Sequence, residues 1–278
     1  MNLANQNKYT NEGIELHNEN DFEGMRKAGK LAAEILDEVT PLVVPGVTTE
    51  ALDAFCHEYA KKHNAIPAPL GYGEGPGRPP FPKATCTSVN HVVCHGIPNA
   101  KKLREGDIVN IDVTVIVDGW HGDTSRMYMV GNKHSVKAKR LVNVTYDAMM
   151  RGIEAVKPGA TLGDVGHAIQ TYAESERFGV VTDFCGHGLG KVFHAPPSVI
   201  HIGQPGKGTV LEPGMFFTIE PMINAGDYRT KLLPDGWTAI TKDRSLSAQF
   251  EHTLAVTEDG FEIFTLSPKG YTKPPYDN

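Results

Sequence analysis

Two aspartates lie in a segment that otherwise has the pattern of buried β-structure. Isoleucine, valine and threonine surround Asp112, and a carboxylate in such a run is costly to bury unless it is paired or bound to a cation. Asp118-Gly119 is a strong two-residue hairpin signal. A two-residue turn there pairs Thr114 with Asp123 and makes Asp112 a diagonal neighbour of Asp123, roughly 7–8 Å away. Two carboxylates placed in this way can converge on a metal ion; the alternative is one solvated aspartate and one turn aspartate.

The second half of the chain adds a histidine between glycines and two more carboxylates in apolar settings. The glycines on either side of His187 allow close approach of the backbone. Glu220 follows an apolar run, and Glu251 lies in a segment with the pattern of a strand. Each acid taken alone could belong to a structural ion pair, and a single histidine is more often a satisfied polar residue than a ligand. Four acids in strand contexts together with the Gly-His-Gly segment favour a metal site.

Four carboxylates and one histidine match the ligand set of a two-metal hydrolytic site. Bridging carboxylates in such sites hold two divalent cations about 3.5–4 Å apart, where the cations activate water and polarise the scissile carbonyl. A carboxylate-rich set favours Mn, Fe, Co or Zn without choosing among them. His95 lies in an apolar stretch before a turn. It is either a neutral imidazole that hydrogen-bonds the reacting amide or an ordinary turn histidine.

The composition is that of an ordinary globular protein. Hydrophobic residues make up 40% and charged residues 22% of the 278 residues, and the net charge of −6 gives no electrostatic case for nucleic acid or an anionic membrane. No apolar run approaches the ~20 residues that span a bilayer, and the polar first twenty residues predict no signal peptide. The four cysteines are scattered, so we expect a reducing compartment, with the cytoplasm as the default location.

The elements that must position these residues are predicted from the spacing of apolar residues. Helical spacing predicts helices over residues 21–40, over residues 49–62 with Thr48 or Thr49 as the cap, and over residues 135–156. Strand patterns cover residues 89–94, 107–117 and 121–130.

The same pattern of elements occurs twice along the chain. The run Pro-Gly-Val-Thr at residues 45–48 matches Pro-Gly-Ala-Thr at residues 158–161, and an amphipathic helix precedes and follows each run. In each half, Leu-x-x-Gly and four further residues lead to Ile and a carboxylate, which is Asp112 in the first half and Glu220 in the second. This repeat predicts two related helix–helix–strand units around a pseudo-two-fold axis, where each half supplies a carboxylate.

Two segments lack these patterns. Residues 1–18 are polar and are predicted to form a poorly ordered arm, followed by a single catalytic domain over residues 19–278. Residues 67–82 are rich in proline and glycine but match no phosphate-binding motif, which favours a surface loop. A polyproline ligand at residues 78–82 is the alternative.

The motif runs resemble those of type I methionine aminopeptidases, over nearly the whole chain from about residue 21 to residue 260. The runs that carry the resemblance are VNHVVCHGIP, GDIVNIDVTVIVDGWHGDTSRM, CGHGLGKVFH, EPGMFFTIEPM and DGWTAITKDRSLSAQFEHT. The resemblance implies an α/β (α+β) pita-bread fold, two pseudo-symmetric halves around a central antiparallel sheet. It also implies a metal-dependent hydrolase that removes the N-terminal methionine from nascent proteins with a small second residue.

The resemblance further implies which residues bind the two divalent cations. The implied ligands are Asp112, Asp123, His187, Glu220 and Glu251, with Asp123 and Glu251 bridging both cations. Asp112 would serve one cation and, through it, the amino terminus of the substrate. His187 and Glu220 would serve the other.

Roles in catalysis and in substrate binding are implied in the same way. His95 would contact the scissile amide nitrogen and His194 the developing oxyanion, while Glu220 would double as the proton-shuttling base. Apolar and soft groups suit the thioether side chain of methionine. The implied pocket for that side chain is lined by Tyr72, Phe81, Cys86, Phe193 and Trp237.

The sequence departs from the family pattern in a few places, and two rival interpretations remain open. The loop over residues 73–80 is longer than in the most familiar bacterial members, and the first ~20 residues contain no zinc-binding Cys/His module. No long helical insertion separates Glu220 from Glu251, which points away from the type II enzymes. The rivals are an Xaa-Pro-type peptidase of the same fold and a binding protein that kept the fold and lost the metals. The resemblance implies a monomer, and a nascent-chain substrate implies contact with the ribosome, although no basic patch supports that contact.

Overall fold

The structure is a computed structural model that describes residues 8–76 and 78–276. Within these ranges the chain forms four α-helices, and a short 3-10 helix (Thr40–Leu42) follows the first of them. The helices are α1 (Glu19–Val39), α2 (Thr49–Lys62), α3 (Val136–Glu154) and α4 (Leu162–Ser175). These bounds agree closely with the helices predicted from apolar spacing. None of the described helices is long and apolar enough to cross a membrane.

The strands of the described residues are short apart from one long hairpin. They are β1 (Lys8–Tyr9), β2 (Glu15–Leu16), β3 (Ile66–Pro67), β4 (Cys86–Val89), β5 (Val92–Cys94), β6 (Ile108–Val117), β7 (Trp120–Met129), β8 (Gly179–Val180), β9 (Gly186–Gly188), β10 (Ala195–Val199), β11 (Phe216–Ile219), β12 (Met222–Asn224), β13 (Thr230–Leu232), β14 (Ala239–Thr241), β15 (Ser247–Gln249), β16 (His252–Val256) and β17 (Phe261–Ile263).

Two antiparallel sheets, one from each half, meet at the centre of the molecule. The first has the order β3-β6-β4 with β7 also paired to β6, and the second has the order β10-β9-β11-β16-β17. Ser125 of β7 forms an antiparallel bridge with Glu251, the residue just before β16. The two sheets are therefore hydrogen-bonded to each other at a point that carries a predicted metal ligand.

The β6–β7 hairpin has the register predicted from its turn. Val117 lies opposite Trp120, and Thr114 lies opposite Asp123. The turn residue Asp118 has a φ of 51°, and the glycine after it a φ of 86°, as a two-residue turn of the primed type requires. Because this register is confirmed, the face of the hairpin that carries the carboxylates is also the predicted one.

Successive side chains of β6 point alternately into the apolar core and toward the candidate site. Val109, Ile111, Val113 and Val115 belong to the apolar cluster that α1 and α2 cover. The residues between them therefore point to the opposite face of the sheet. Asp112 is on that face, which looks toward the second half of the chain.

The internal repeat is present in the hydrogen bonding of both halves. In the first half, Gly46 N–H donates to the carbonyl of Leu103 over 2.8 Å. In the second half, Gly159 N–H donates to the carbonyl of Leu211 over 2.9 Å. The helix that follows begins with a threonine N-cap in both cases. The two halves are thus built in the same way, as the repeat predicted.

Two expectations differ from the structure. Residues 8–18 form the β1–β2 hairpin instead of a poorly ordered arm, because Ile14 is buried and His17 stacks on Phe216 at a centroid distance of 4.1 Å. Residues 1–7 of the predicted arm lie outside the described residues, and the single domain over residues 19–278 stays a prediction. The strand expected over residues 89–94 is divided into β4 and β5, since Asn90 adopts a φ of 55° and its side-chain oxygen accepts from Ile108 N–H.

Candidate metal and substrate site

A cavity of about 590 Å³ lies where the two halves meet, and residues from both halves line it. Every residue that the sequence analysis assigned to metal or substrate is among its lining residues. They are Tyr72, Phe81, Cys86, His95, Asp112, Asp123, His187, Phe193, His194, Glu220, Trp237 and Glu251. The structure therefore brings the whole predicted set together in one place.

The first half contributes its two carboxylates from the central hairpin. Asp112 lies on β6 and Asp123 on β7, and Asp123 is almost completely buried. The hydroxyl of Thr114 donates to Asp123 Oδ1 over 2.6 Å. The other oxygen, Asp123 Oδ2, lies 3.5 Å from His187 Nε2 of the second half. One oxygen of Asp123 is thus held by the sheet while the other faces the centre of the site.

The second half presents a histidine with a defined orientation. His187 Nδ1 lies 3.1 Å from the carbonyl of Gly188, an arrangement in which Nδ1 carries the proton and Nε2 faces the acids. Nε2 is 3.7 Å from Glu220 Oε1. The hydroxyl of Thr218 donates to Glu220 Oε1 over 2.8 Å and accepts from His187 N–H over 3.0 Å. This threonine couples the positions of two predicted ligands.

Tight packing explains the glycines on either side of His187. A Cβ atom on Gly186 would lie 2.4 Å from the carbonyl oxygen of Thr218. A Cβ atom on Gly188 would lie 2.0 Å from the carbonyl oxygen of Pro196. Only glycine at both positions lets β9 approach its neighbours closely enough to bring the imidazole to the acids.

Glu251 completes the group at the junction of the two sheets. Its N–H donates to the carbonyl of Ser125 over 3.1 Å, and its carbonyl accepts from the hydroxyl of Thr124 over 2.7 Å. One ligand atom each from Asp123, His187 and Glu251 lies within 4.8 Å of the other two. The spacing suits side chains that share a metal ion.

The electrostatics of the acids fit divalent cations. Burial, followed by the charges of Asp123 and Glu220, raises the pKa of Asp112 well above its ordinary value. Burial and the neighbouring acids also raise the pKa of Glu251, and burial raises the pKa of Glu220 to about 7 although His187 opposes the change. Carboxylates that repel one another in a buried site are stabilised by bound cations, and an oxygen-rich set with one imidazole nitrogen suits divalent transition metals.

Two further histidines are held neutral beside the acids. Burial, then the charges of Arg78 and His187, lowers the pKa of His95 to about 4. Burial and the charge of His187 lower the pKa of His194 to about 4 as well. The rings of His187 and His194 have centroids 4.2 Å apart. At neutral pH, His95 and His194 therefore carry no charge and are available as hydrogen-bonding groups.

The apolar part of the cavity forms a pocket next to the acids. Phe81, Cys86 and Trp237 form one buried cluster, with the rings of Phe81 and Trp237 edge to face at 5.3 Å. On the other side, Tyr72 packs on Phe193 at 4.9 Å and is half exposed at the mouth. Burial raises the pKa of the Cys86 thiol well above its ordinary value, so this group is neutral. The pocket suits an unbranched apolar side chain.

The proline- and glycine-rich loop forms part of this wall. Phe81 is buried, and the carbonyl of Pro79 accepts a hydrogen bond from Trp237 Nε1–H over 2.8 Å. Neither group is therefore free to bind a partner protein. Arg78, Pro79 and Pro80 remain exposed. These residues lie at the surface, as the sequence analysis favoured. Because the backbone of Pro79 bonds Trp237 of the pocket, the segment does not offer a free polyproline ligand.

Sequence reasoning missed several residues that hold the predicted ligands. Gln249 Nε2 donates to Glu220 Oε2 over 3.1 Å, and His201 Nε2 accepts from Glu220 N–H over 3.1 Å. Thr218 and Gln249 each precede a predicted ligand by two positions, so strand alternation could have placed them on the same face. His201 has no such signal, because its partner is a backbone N–H that no pattern marks.

Comparison with known proteins places this geometry among metal-dependent peptidases. The model of metallopeptidase family M24 matches residues 23–258. The methionine aminopeptidase of Rickettsia prowazekii is 63% identical over 264 residues, which cover 95% of this chain and 99% of that protein. Its crystal structure superposes with a TM-score of 0.88 at 62% identity and covers 91% of this chain and 100% of the other.

A proline-specific enzyme is much less similar. The crystal structure of the prolidase from Pyrococcus horikoshii matches with a TM-score of 0.69 at 22% identity, over 90% of this chain but 63% of that one. At this identity the likeness concerns the fold alone.

Proposed function

Because the chain belongs to metallopeptidase family M24 and, within it, to the type I methionine aminopeptidases, we propose that its cavity holds two divalent cations and that the enzyme uses them to remove the N-terminal methionine of nascent proteins. Family membership confirms the resemblance drawn from the motifs, the α/β pita-bread fold and the assignment as a metal-dependent hydrolase. The Xaa-Pro interpretation is not favoured, since the likeness to a prolidase is confined to the fold. A metal-free binding protein is not favoured either, because all five ligand positions hold ligand-competent residues.

The observation that carries the proposal is the convergence of ligand-type side chains from both halves beside an apolar pocket. We assign Asp112, Asp123, His187, Glu220 and Glu251 as the residues that would hold the cations. When bound there, divalent cations would supply acidified water and polarisation of the scissile carbonyl. The donor set is compatible with Mn, Fe, Co or Zn.

The side chains of the chain itself orient the substrate and move the proton. Neutral His95 hydrogen-bonds the scissile amide, and neutral His194 donates to the oxygen on which negative charge develops. Glu220 accepts a proton from the attacking water and returns it to the leaving amine. Hydrogen bonds from Thr218 and Gln249 fix the direction of its two carboxylate oxygens.

The methionine side chain enters the pocket of Phe81, Cys86 and Trp237, between those residues and the mouth formed by Tyr72 and Phe193. A small second residue of the substrate is part of the proposal. We further propose that the enzyme acts as a monomer in the cytoplasm, where nascent chains leave the ribosome. All four cysteines are free thiols, which suits a reducing compartment.

A peptide panel tests the proposed function. We expect the metal-loaded protein to cleave a Met-Ala-Ser peptide and to lose about 100-fold or more in kcat/KM when methionine is replaced by lysine, because the pocket offers a charged side chain no partner. An Ala-Pro peptide should remain intact, and a chelator should abolish cleavage until metal is restored.

Two outcomes of the same assay contradict the proposal. Cleavage of Ala-Pro at a rate comparable with Met-Ala-Ser identifies an Xaa-Pro-type peptidase. Cleavage of none of the peptides by protein that has bound divalent metal identifies a binding protein.

A further inference from the structure

Trp237, a wall of the methionine pocket, is covered by Arg78 and Pro79 of the proline- and glycine-rich loop, and Arg78 also borders the cavity. Inward, its ring meets Phe81 at 5.3 Å and His95 at 6.2 Å, both edge to face. From the loop, the guanidinium carbon of Arg78 lies 4.5 Å from the ring centroid, and the carbonyl of Pro79 accepts from the indole N–H over 2.8 Å. Trp237 is only 7% exposed, so little of this residue is in contact with water.

The covering arginine is itself fixed by the loop that carries it. Arg78 Nε donates to the carbonyl of Gly73 over 2.8 Å. The backbones of Gly75 and Arg78 exchange two hydrogen bonds of 3.0 Å. These contacts pre-organise the guanidinium over the ring, so that little side-chain entropy is lost when it stacks.

Two glycines make room for this arrangement. A Cβ atom on Gly73 would lie 2.5 Å from the six-membered ring of Trp237, and one on Gly236 would lie 3.3 Å from the side chain of Arg78. Both glycines have positive φ, near +75° and +79°. The backbone on either side of the stack is therefore shaped for close contact between Arg78 and Trp237.

We propose that Arg78 and Pro79 are positioning residues that hold Trp237 as a rigid wall and thereby set the selectivity of the pocket for an unbranched side chain. The proposal rests on the proposed function. The ring contacts of Trp237 with Phe81 and His95 are edge to face, so loss of the Arg78 stack allows the indole to tilt about its hydrogen bond to the Pro79 carbonyl. A tilting wall must be ordered each time a substrate binds, which weakens binding, and it accommodates branched side chains at a smaller penalty.

The test compares Arg78→Ala and Arg78→Lys with a matched control, Arg151→Ala. The guanidinium carbon of Arg151 lies 4.2 Å over the ring of Tyr172, on α3 and α4, and Arg151 does not line the site cavity. The control removes an equally stacked, exposed arginine without touching the pocket. Its KM, kcat and substrate preference should equal those of the wild type.

The kinetic readout is KM and kcat, measured separately for a peptide with N-terminal methionine and for one with N-terminal leucine. Arg78→Ala should raise KM for Met-Ala-Ser by about twofold to fivefold, the range of a stacked cation at an exposed site, with kcat changed less than about twofold. The preference for methionine over leucine should fall. Arg78→Lys should recover only part of both effects, because an ammonium keeps the charge but not the planar stack or the bond to Gly73.

A second readout does not depend on activity or on metal. The chain has two tryptophans, so in a Trp120→Phe background the emission reports Trp237 alone. Arg78→Ala should increase the quenching of this emission by acrylamide, and Arg151→Ala should not.

The proposal is overturned if Arg78→Ala leaves both the quenching of Trp237 and the methionine-to-leucine ratio unchanged. It is also overturned if Arg78→Lys restores the wild-type values completely, since Arg78 would then act through its charge alone. Failure of the wild type to cleave any methionine peptide would contradict the proposed function instead, and the quenching experiment would still decide whether Arg78 positions Trp237.

Discussion

Replacing Asp123 by asparagine is expected to lower kcat/KM for Met-Ala-Ser on the order of 10³-fold or more and to release divalent metal from the purified protein. Asp123 lies between the two halves, with one oxygen fixed by Thr114 and the other 3.5 Å from His187. Asparagine keeps the size and the hydrogen bond from Thr114 but removes the negative charge that Asp123 supplies as a proposed metal ligand. Steady-state kinetics together with elemental analysis of the same sample measure both effects. Glu251→Gln should behave in the same way.

The control for this prediction lies five residues away in the same hairpin. Asp118→Asn makes the same chemical change at an exposed turn position, and Asn-Gly suits that turn as well as Asp-Gly does. It should keep wild-type activity and metal content. Purified Asp123→Asn protein with full activity would refute the assignment of the metal ligands.

Replacing His95 by alanine is expected to lower kcat by about 10²-fold to 10⁴-fold while the metal content stays at the wild-type value. The ring is partly buried in the cavity that the acids line, and it is neutral at neutral pH because desolvation lowers its pKa to about 4. It is therefore available to hydrogen-bond the scissile amide, and it is not one of the residues that we propose as metal ligands. Single-turnover kinetics at saturating peptide, with elemental analysis, measure the two quantities.

The backbone at His95 calls for a second variant. Its φ of 54° is a left-handed conformation that asparagine tolerates better than alanine, so His95→Asn separates a catalytic loss from backbone strain. His167→Ala, an exposed histidine on α4, is the matched control and should have no effect. Loss of metal from both His95 variants would instead identify His95 as a ligand.

Local patterns predicted the part of the site that one hairpin builds. Asp118-Gly119 fixed the turn, the turn fixed the register, and the register placed Asp112 and Asp123 on one face. The repeat indicated that Glu220 belongs to an equivalent place in the second half. These inferences succeed because turn geometry and strand alternation act over a few residues.

Contacts between distant segments were not predictable in this way. Asn90 divides an expected strand because its side chain bonds Ile108, eighteen residues away. His201 holds Glu220 through a backbone N–H, and Arg78 covers Trp237 from a loop whose composition suggested only exposure. Tertiary partners decide such positions, and composition and periodicity do not reveal the partner.

The number of divalent cations that the chain binds tests the central claim most directly. Metal-free wild-type protein titrated with Mn²⁺ or Co²⁺ in a calorimeter should bind two cations per chain, and cleavage of Met-Ala-Ser should appear as they bind. Asp123→Asn should lose this binding, and Asp118→Asn should retain it. Full cleavage of Met-Ala-Ser by the metal-free protein in the presence of a chelator would contradict the account.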